Sequence, residues 1–86
     1  MGPLRLRVVE SGPGPPRVAY AVGRSVGNAV QRNRLRRRLR AAVAEHRGLL
    51  RPDAAYLFSA GPRAVFMTPK ALSAAVPELL EAVTET

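Results

Sequence analysis

From the N-terminus, Leu4, Leu6 and Val8 alternate with Arg5, Arg7 and Val9, the period of two that marks a strand with one face on a core. The run GPGPP at residues 12–16 stops any regular element. Beyond it Val18, Tyr20 and Val22 alternate with Arg17, Ala19 and Ala21, so the pattern predicts a second strand, paired antiparallel with the first as a hairpin. The period then changes. At 100° per residue, Leu35, Leu39, Ala42, Val43 and His46 share one narrow stripe, which predicts a helix running to about residue 47. Ser25 or Asn28 is suited to cap its start, and Gly48 and Pro52 close it. The run AAYLFSA, residues 54–60, is nearly continuous in apolar character, as a central strand would be. Strand, crossover helix and strand make a βαβ unit. Thr68 and Pro69 supply an N-cap and a first-turn proline for a last helix whose stripe is Leu72, Val76, Leu79, Leu80 and Val83. Pro77 is expected to kink that helix without ending it, since the stripe keeps its period across the proline.

A chain of 86 residues is one domain. At that size it buries only roughly 60 to 65% of its unfolded surface, so its stability margin is slim. Aromatic residues make up 5% and Trp is absent, which leaves a core mostly of Val, Leu and Ala. Cys is absent too, which excludes disulfides and thiolate metal sites. The N-terminal MGPLRL lacks the apolar stretch of a signal peptide, no long apolar run follows it, and the expectation is a soluble cytoplasmic protein without membrane attachment.

Charge changes the picture most. The formal net charge is +8, from 14 Lys plus Arg against 6 Asp plus Glu, which points to a polyanionic partner, nucleic acid first. All the basic residues but Lys70 are Arg, through either coding bias or a need for bidentate phosphate contacts. The excess concentrates in GNAVQRNRLRRRLR, residues 27–40, and no acid follows it before Glu45. On a helix, Arg32/Arg36, Arg34/Arg38, Arg36/Arg40, Arg34/Arg37 and Arg37/Arg40 are like-charged neighbours, together costing about 1 to 2.5 kcal/mol in the free protein. A phosphate backbone would remove that cost and add counterion release. A solvated surface helix, a membrane-surface helix and a DNA-recognition helix are the competing readings. Against them stand the absence of interleaved acids, of Trp or Phe on the apolar stripe, and of a preceding helix-turn-helix partner. Gly27 and Asn28 at the helix entry permit close backbone approach and free N–H groups for a phosphate, or simply form a capped loop.

Nothing in the chain reads as a protein nuclease site. Such sites use clustered carboxylates with metal or paired histidines, whereas the acids here are scattered and the one histidine, His46, lies on the apolar stripe. No catalytic residue and no metal ligand is assigned. Tyr20, Tyr56 and Phe58 are suited to stack on unpaired bases if they lie on an open sheet face, or to pack in the core, which the grouping of Tyr20 with Val18 and Val22 favours.

The segment GRSVGNAVQRNRLRRRLRAAV resembles the signature of the protein subunit of bacterial ribonuclease P, whose pattern runs approximately K-K-x-G-N-A-V-x-R-N-R-x-K-R-x-x-R. Gly27, Asn28, Ala29, Val30, Arg32, Asn33, Arg34, Arg37 and Arg40 match in register, Arg36 replaces the usual Lys, and Arg24 keeps one of two basic positions ahead of the glycine. The resemblance extends over about residues 4 to 83. It implies an α+β fold, a two-layer αβ sandwich with a basic crossover helix in an unusual left-handed βαβ unit, shared with the second domain of a small-subunit ribosomal protein. It implies a component of an endoribonuclease that removes the 5′ leader of precursor tRNA, in which the RNA subunit, with magnesium, carries the chemistry. The protein itself would hold no cofactor, bind the catalytic RNA and the leader, and need no second copy of itself. Carried onto this chain, Arg24, Gly27, Asn28, Arg32, Asn33, Arg34, Arg36, Arg37, Arg38 and Arg40 are the candidate contacts to the catalytic RNA. Arg5, Arg7, Tyr20, Tyr56 and Phe58 are the candidate leader contacts. Family members begin with a further helix that walls one side of the leader cleft; here the chain opens at the first strand, so the sheet is expected to form that cleft alone. A ribosome-associated RNA-binding protein of similar fold is the alternative.

Overall fold

The computed structural model describes residues 3–84. They form β1 (Leu4–Glu10), β2 (Arg17–Val22), α1 (Ala29–Glu45), β3 (Ala54–Ala60) and α2 (Pro69–Thr84), with 3-10 turns at Arg24–Val26, Arg47–Leu49 and Pro62–Phe66. The sheet order is β1-β3-β2, with β1 antiparallel and β2 parallel to β3. This is the two-layer α+β arrangement that the pattern and the resemblance implied, with α1 as the crossover between the parallel pair.

The predicted β1/β2 hairpin does not form. Both strands alternate and so have one face for water, which suits edges, whereas β3 is apolar on both faces and takes the middle. The apolar run of β3 already marked it as a central strand, and in a sheet of three strands that place lies between β1 and β2, which rules out the hairpin. The 12–16 loop instead crosses the start of β3 and is pinned there by Asp53. The Asp53 carboxylate accepts from Gly14 N at 2.7 Å, Asp53 N donates to the Gly14 carbonyl at 2.9 Å, and Ser11 N donates to the Asp53 carbonyl at 3.1 Å. Gly12 and Gly14 take φ of 86° and 139° to make that path.

Register places Leu6, Phe58 and Tyr20 in one row across the sheet, and Val8, Tyr56 and Val18 in the next. This face packs under both helices: Leu4, Val22, Tyr56 and Phe58 join Leu35, Leu39 and Val43 of α1 and Leu72, Val76, Leu79 and Leu80 of α2 in one buried cluster. The opposite face carries Arg5, Arg7 and Val9 on one edge, Ala55, Leu57 and Ser59 in the middle, and Arg17, Ala19 and Ala21 on the other edge. No described helix covers it.

α1 ends two residues earlier than its pattern suggested, at Glu45 with His46 as C-cap, and Gly48 falls in the following 3-10 turn. α2 contains Pro77 and is capped by Thr68, whose Oγ1 accepts from Ala71 N at 3.1 Å. Proline has no N–H, so the carbonyl four residues back, that of Ser73, loses its helical donor. His46 Nε2 lies 2.9 Å from that carbonyl oxygen, which can only accept, so the imidazole N–H replaces the missing donor. The Ser73 hydroxyl donates to the Glu45 carboxylate at the same junction. His46→Ala should cost about 1 to 2 kcal/mol in chemical denaturation, the penalty of an orphaned, partly buried acceptor plus its lost contacts. In a Pro77→Ala background residue 77 supplies the N–H and the cost should shrink. Equal costs in the two backgrounds would show that this carbonyl is not what His46 serves.

Candidate nucleic-acid interface

The start of α1 is built by reciprocal bonds. Asn28 Oδ1 accepts from Gln31 N and Gln31 Oε1 accepts from Asn28 N, both at 2.9 Å, a complete capping box. Gly27, at φ 156° and ψ −162°, occupies a region that only glycine visits freely, and a Cβ there would collide with the Gln31 side chain. Gly27 and Asn28 therefore aim the helix. Two of its first N–H groups are already engaged and not free for a phosphate.

Leu35, Leu39, Ala42 and Val43 fix which side of α1 faces the core. Arg34, Arg37, Arg40 and Asn33 then face solvent, together with exposed Val30. The remaining arginines lie on the flanks. Arg36 turns back toward the sheet, donating to Asn33 Oδ1 at 2.9 Å and reaching the Val22 carbonyl at 3.5 Å. Arg32 is half-buried, and its Nε is sealed from solvent with no hydrogen-bond partner. Arg38 is half-buried toward the Pro62–Phe66 turn. Arg24 is exposed in the turn just before the helix. The candidate arginines other than Arg24 thus share one element, but they divide into an outward row and two supporting flanks. No Asp or Glu occurs between Glu10 and Glu45, so the outward row meets no acid of its own helix before the last residue.

The aromatic candidates are corrected by the sheet. Tyr56 and Phe58 are buried under the helices, 4% and 0% exposed, and cannot receive a base; the Tyr56 hydroxyl accepts from Arg51 N at 2.8 Å. Tyr20 lies on the same face, half-buried, with its ring stacked on Phe58 at 6.1 Å between centroids and the Arg40 guanidinium 5.6 Å from its own centroid. Partial burial raises its hydroxyl pKa above the ordinary value, against the pull of Arg40 and Arg47. Arg5 and Arg7, by contrast, lie exposed on the open face. There Arg7, Val9, Arg17, Ala19 and Leu57 line a depression of about 290 Å³. Arg17 and Leu57 were missed because only the register puts them beside Arg7. Phe66, 83% exposed at the end of a 3-10 turn, was missed because it belongs to no periodic run.

Among the described residues no group of three or more His, Asp or Glu side chains is placed to hold a metal ion, and no helix is long and apolar enough to cross a membrane.

A model of the family described as Ribonuclease P matches residues 2–84. The ribonuclease P protein component of Thermobifida fusca is 38% identical over 73 residues, which is 85% of this chain and 50% of that protein. That of Pediococcus pentosaceus is 46% identical over 48 residues, 56% of this chain and 40% of its own length. The chain therefore spans about half or less of these relatives. Among solved structures, the RNase P protein from Thermotoga maritima superposes with a TM-score of 0.83 at 16% identity, covering 95% of this chain and 78% of that one. The Staphylococcus aureus RNase P protein gives 0.73 at 21% identity, covering 92% and 74%. These structural likenesses establish a common fold.

Proposed function

The chain belongs to the ribonuclease P protein family, and from that membership we propose that it is the protein component of ribonuclease P, binding the catalytic RNA and assisting removal of the 5′ leader from precursor tRNA. The observation that carries the proposal is the outward row Arg34, Arg37 and Arg40 on one rigid helix, flanked by Asn33 and uncompensated by acids. Guanidinium groups at this spacing suit successive phosphates of a structured RNA, and their mutual repulsion is relieved when phosphates arrive. Arg24 and Arg38 extend the same surface, Gly27 and Asn28 form the turn and cap that start the helix, Arg36 is held by Asn33 and the Val22 carbonyl, and Arg32 lies half-buried beside them.

The open sheet face suits the leader, an unpaired strand, because Arg5, Arg7 and Arg17 flank a floor of Ala19, Ala55 and Leu57. Tyr20, Tyr56 and Phe58 are on the wrong side for this role. In this reading the magnesium ion and the chemical step belong to the RNA subunit, and this chain contributes binding. The reading has one copy of the chain on each RNA, in the cytoplasm. The alternative of a ribosome-associated protein has no support among the relatives.

Reconstitution tests the proposal. The chain, mixed with the ribonuclease P RNA of its own source, should form a salt-sensitive complex and raise the rate of 5′ cleavage of precursor tRNA. A chain that neither binds this RNA nor stimulates its cleavage would refute it.

A further inference from the structure

Phe66 is the most exposed large apolar side chain among the described residues, and its surroundings hold it out. Ala64 is fully buried, Val65 and Met67 pack against the core, and Ala64 N and Met67 N bond to the Gly61 and Ala64 carbonyls at 3.0 Å each. Gly61 N in turn bonds to the Pro3 carbonyl at 2.7 Å, and Thr68 caps α2 immediately after the turn. The turn is thus fastened at both ends, and with Val65 and Met67 packed inward on either side its backbone directs the Phe66 side chain outward.

Beside the ring is a groove of about 270 Å³ between the turn and α1, lined by Gln31, Arg34, Leu35, Arg38, Phe66 and Met67. An apolar ring and floor bordered by two guanidinium groups match a ligand that is planar and apolar on its face and anionic on its backbone. Nucleic acid has both properties in one repeat unit. The groove has room for a single nucleotide and not a duplex, and its Arg34 rim is continuous with the outward row of α1. We propose that Phe66 is a stacking platform for one unpaired base of the bound RNA, with the adjoining phosphates held by Arg34 and Arg38. The inference rests on the RNA-binding reading above and adds a nucleotide-specific contact on the α2 side of the basic helix.

The test compares Phe66→Ala and Phe66→Tyr with the unaltered chain, each bound to ribonuclease P RNA across a salt series. Loss of one stacked base should weaken binding about 5- to 150-fold. The slope of log K against log salt should not change, because no phosphate contact is lost. Phe66→Tyr should bind within a few fold of the unaltered chain. Chemical probing of the RNA should show one unpaired nucleotide that is constrained by the unaltered chain and freed by the alanine variant. Because Phe66 is exposed, all the chains should melt alike. If the unaltered chain binds and Phe66→Ala binds equally well, or if no nucleotide changes, the platform is refuted while the function reading stands. Should the unaltered chain fail to bind the RNA, both fall. An affinity for anionic lipid vesicles that depends on Phe66, with RNA binding indifferent to it, would give the groove to a membrane and also refute the proposal.

Discussion

With Arg34, Arg37 and Arg40 all replaced by alanine, the chain should bind ribonuclease P RNA about a hundredfold more weakly near physiological salt and show a flatter salt dependence. The three side chains face solvent from one side of α1, which carries no acid before Glu45. Each phosphate contact contributes about 0.7 to 0.9 to the slope of log K against log salt, so removing three should lower it by about two to three units. Extrapolated from 1 M salt, where counterion release vanishes, to about 0.15 M, that difference is roughly two orders of magnitude in affinity. The fold should be spared. The substitution removes the like-charged pairs Arg34/Arg37 and Arg37/Arg40 and puts the best helix former at three exposed positions, which stabilises α1 by some tenths of a kcal/mol per site. Against this stands the Arg40 guanidinium over the Tyr20 ring, worth about 0.5 to 1 kcal/mol at such a site. The terms nearly cancel, so thermal melting should move by only a few degrees. An unchanged salt slope in the triple variant would mean that this face of α1 does not meet the RNA.

That outward row is only partly legible in the sequence. The stripe of Leu35, Leu39, Ala42 and Val43 identifies the buried side of α1, and by subtraction the exposed one, because a helix face depends only on spacing along the chain. The same spacing puts Arg37 opposite the stripe and Arg36 on its flank, but it does not show what Arg36 meets there. Arg36 is turned toward the sheet because the Val22 carbonyl at the end of β2 lies within its reach, a contact across 14 residues of sequence. The three strands and the central character of β3 were legible for the same local reason as the helix, whereas the expected pairing of β1 with β2 was wrong. The pairings of β3 with β1 and β2 join segments far apart in the sequence, and the Asp53 carboxylate's bond to Gly14, spanning 39 residues, fastens the 12–16 loop across the start of β3. The role of Tyr56 and Phe58 turned on this. Alternation groups them on one face, but only the layer of helices decides whether that face is open.

The histidine shows how a residue can be placed correctly without its purpose being visible. His46 sits at the end of the apolar stripe and is half-buried, as its position suggests. What it does depends on Pro77, 31 positions later, which removes the helical donor to Ser73 and leaves a carbonyl that the imidazole reaches. The stripe of α2 did indicate that the helix continues through the proline. It carried no sign of how the freed carbonyl would be satisfied, because that partner comes from α1.

The largest loss of stability should come from Phe58→Ala. The chain has two phenylalanines, and they have opposite environments: Phe66 is 83% exposed and Phe58 is 0% exposed in the middle of the central strand. Phe58 is flanked across the sheet by Leu6 and Tyr20 and stacks on the Tyr20 ring. Truncating a fully buried phenylalanine costs about 3 to 5 kcal/mol, and the lost ring pair adds about 0.5 to 1.5. At roughly 0.05 to 0.15 kcal/mol per residue, a domain of this size has only about 4 to 13 kcal/mol in total. Each kcal/mol lowers the melting temperature of such a domain by about 4 to 8 °C, so the variant should melt some tens of degrees lower or be unfolded at 25 °C. Leu57→Ala, one residue away on the open face, is the control, since Leu57 is only half-buried and no helix covers it. It should cost clearly less. Equal losses at the two positions would mean that the helices do not lie on the Phe58 side, and Arg5, Arg7 and Arg17 would then lose their claim to an open face for the leader.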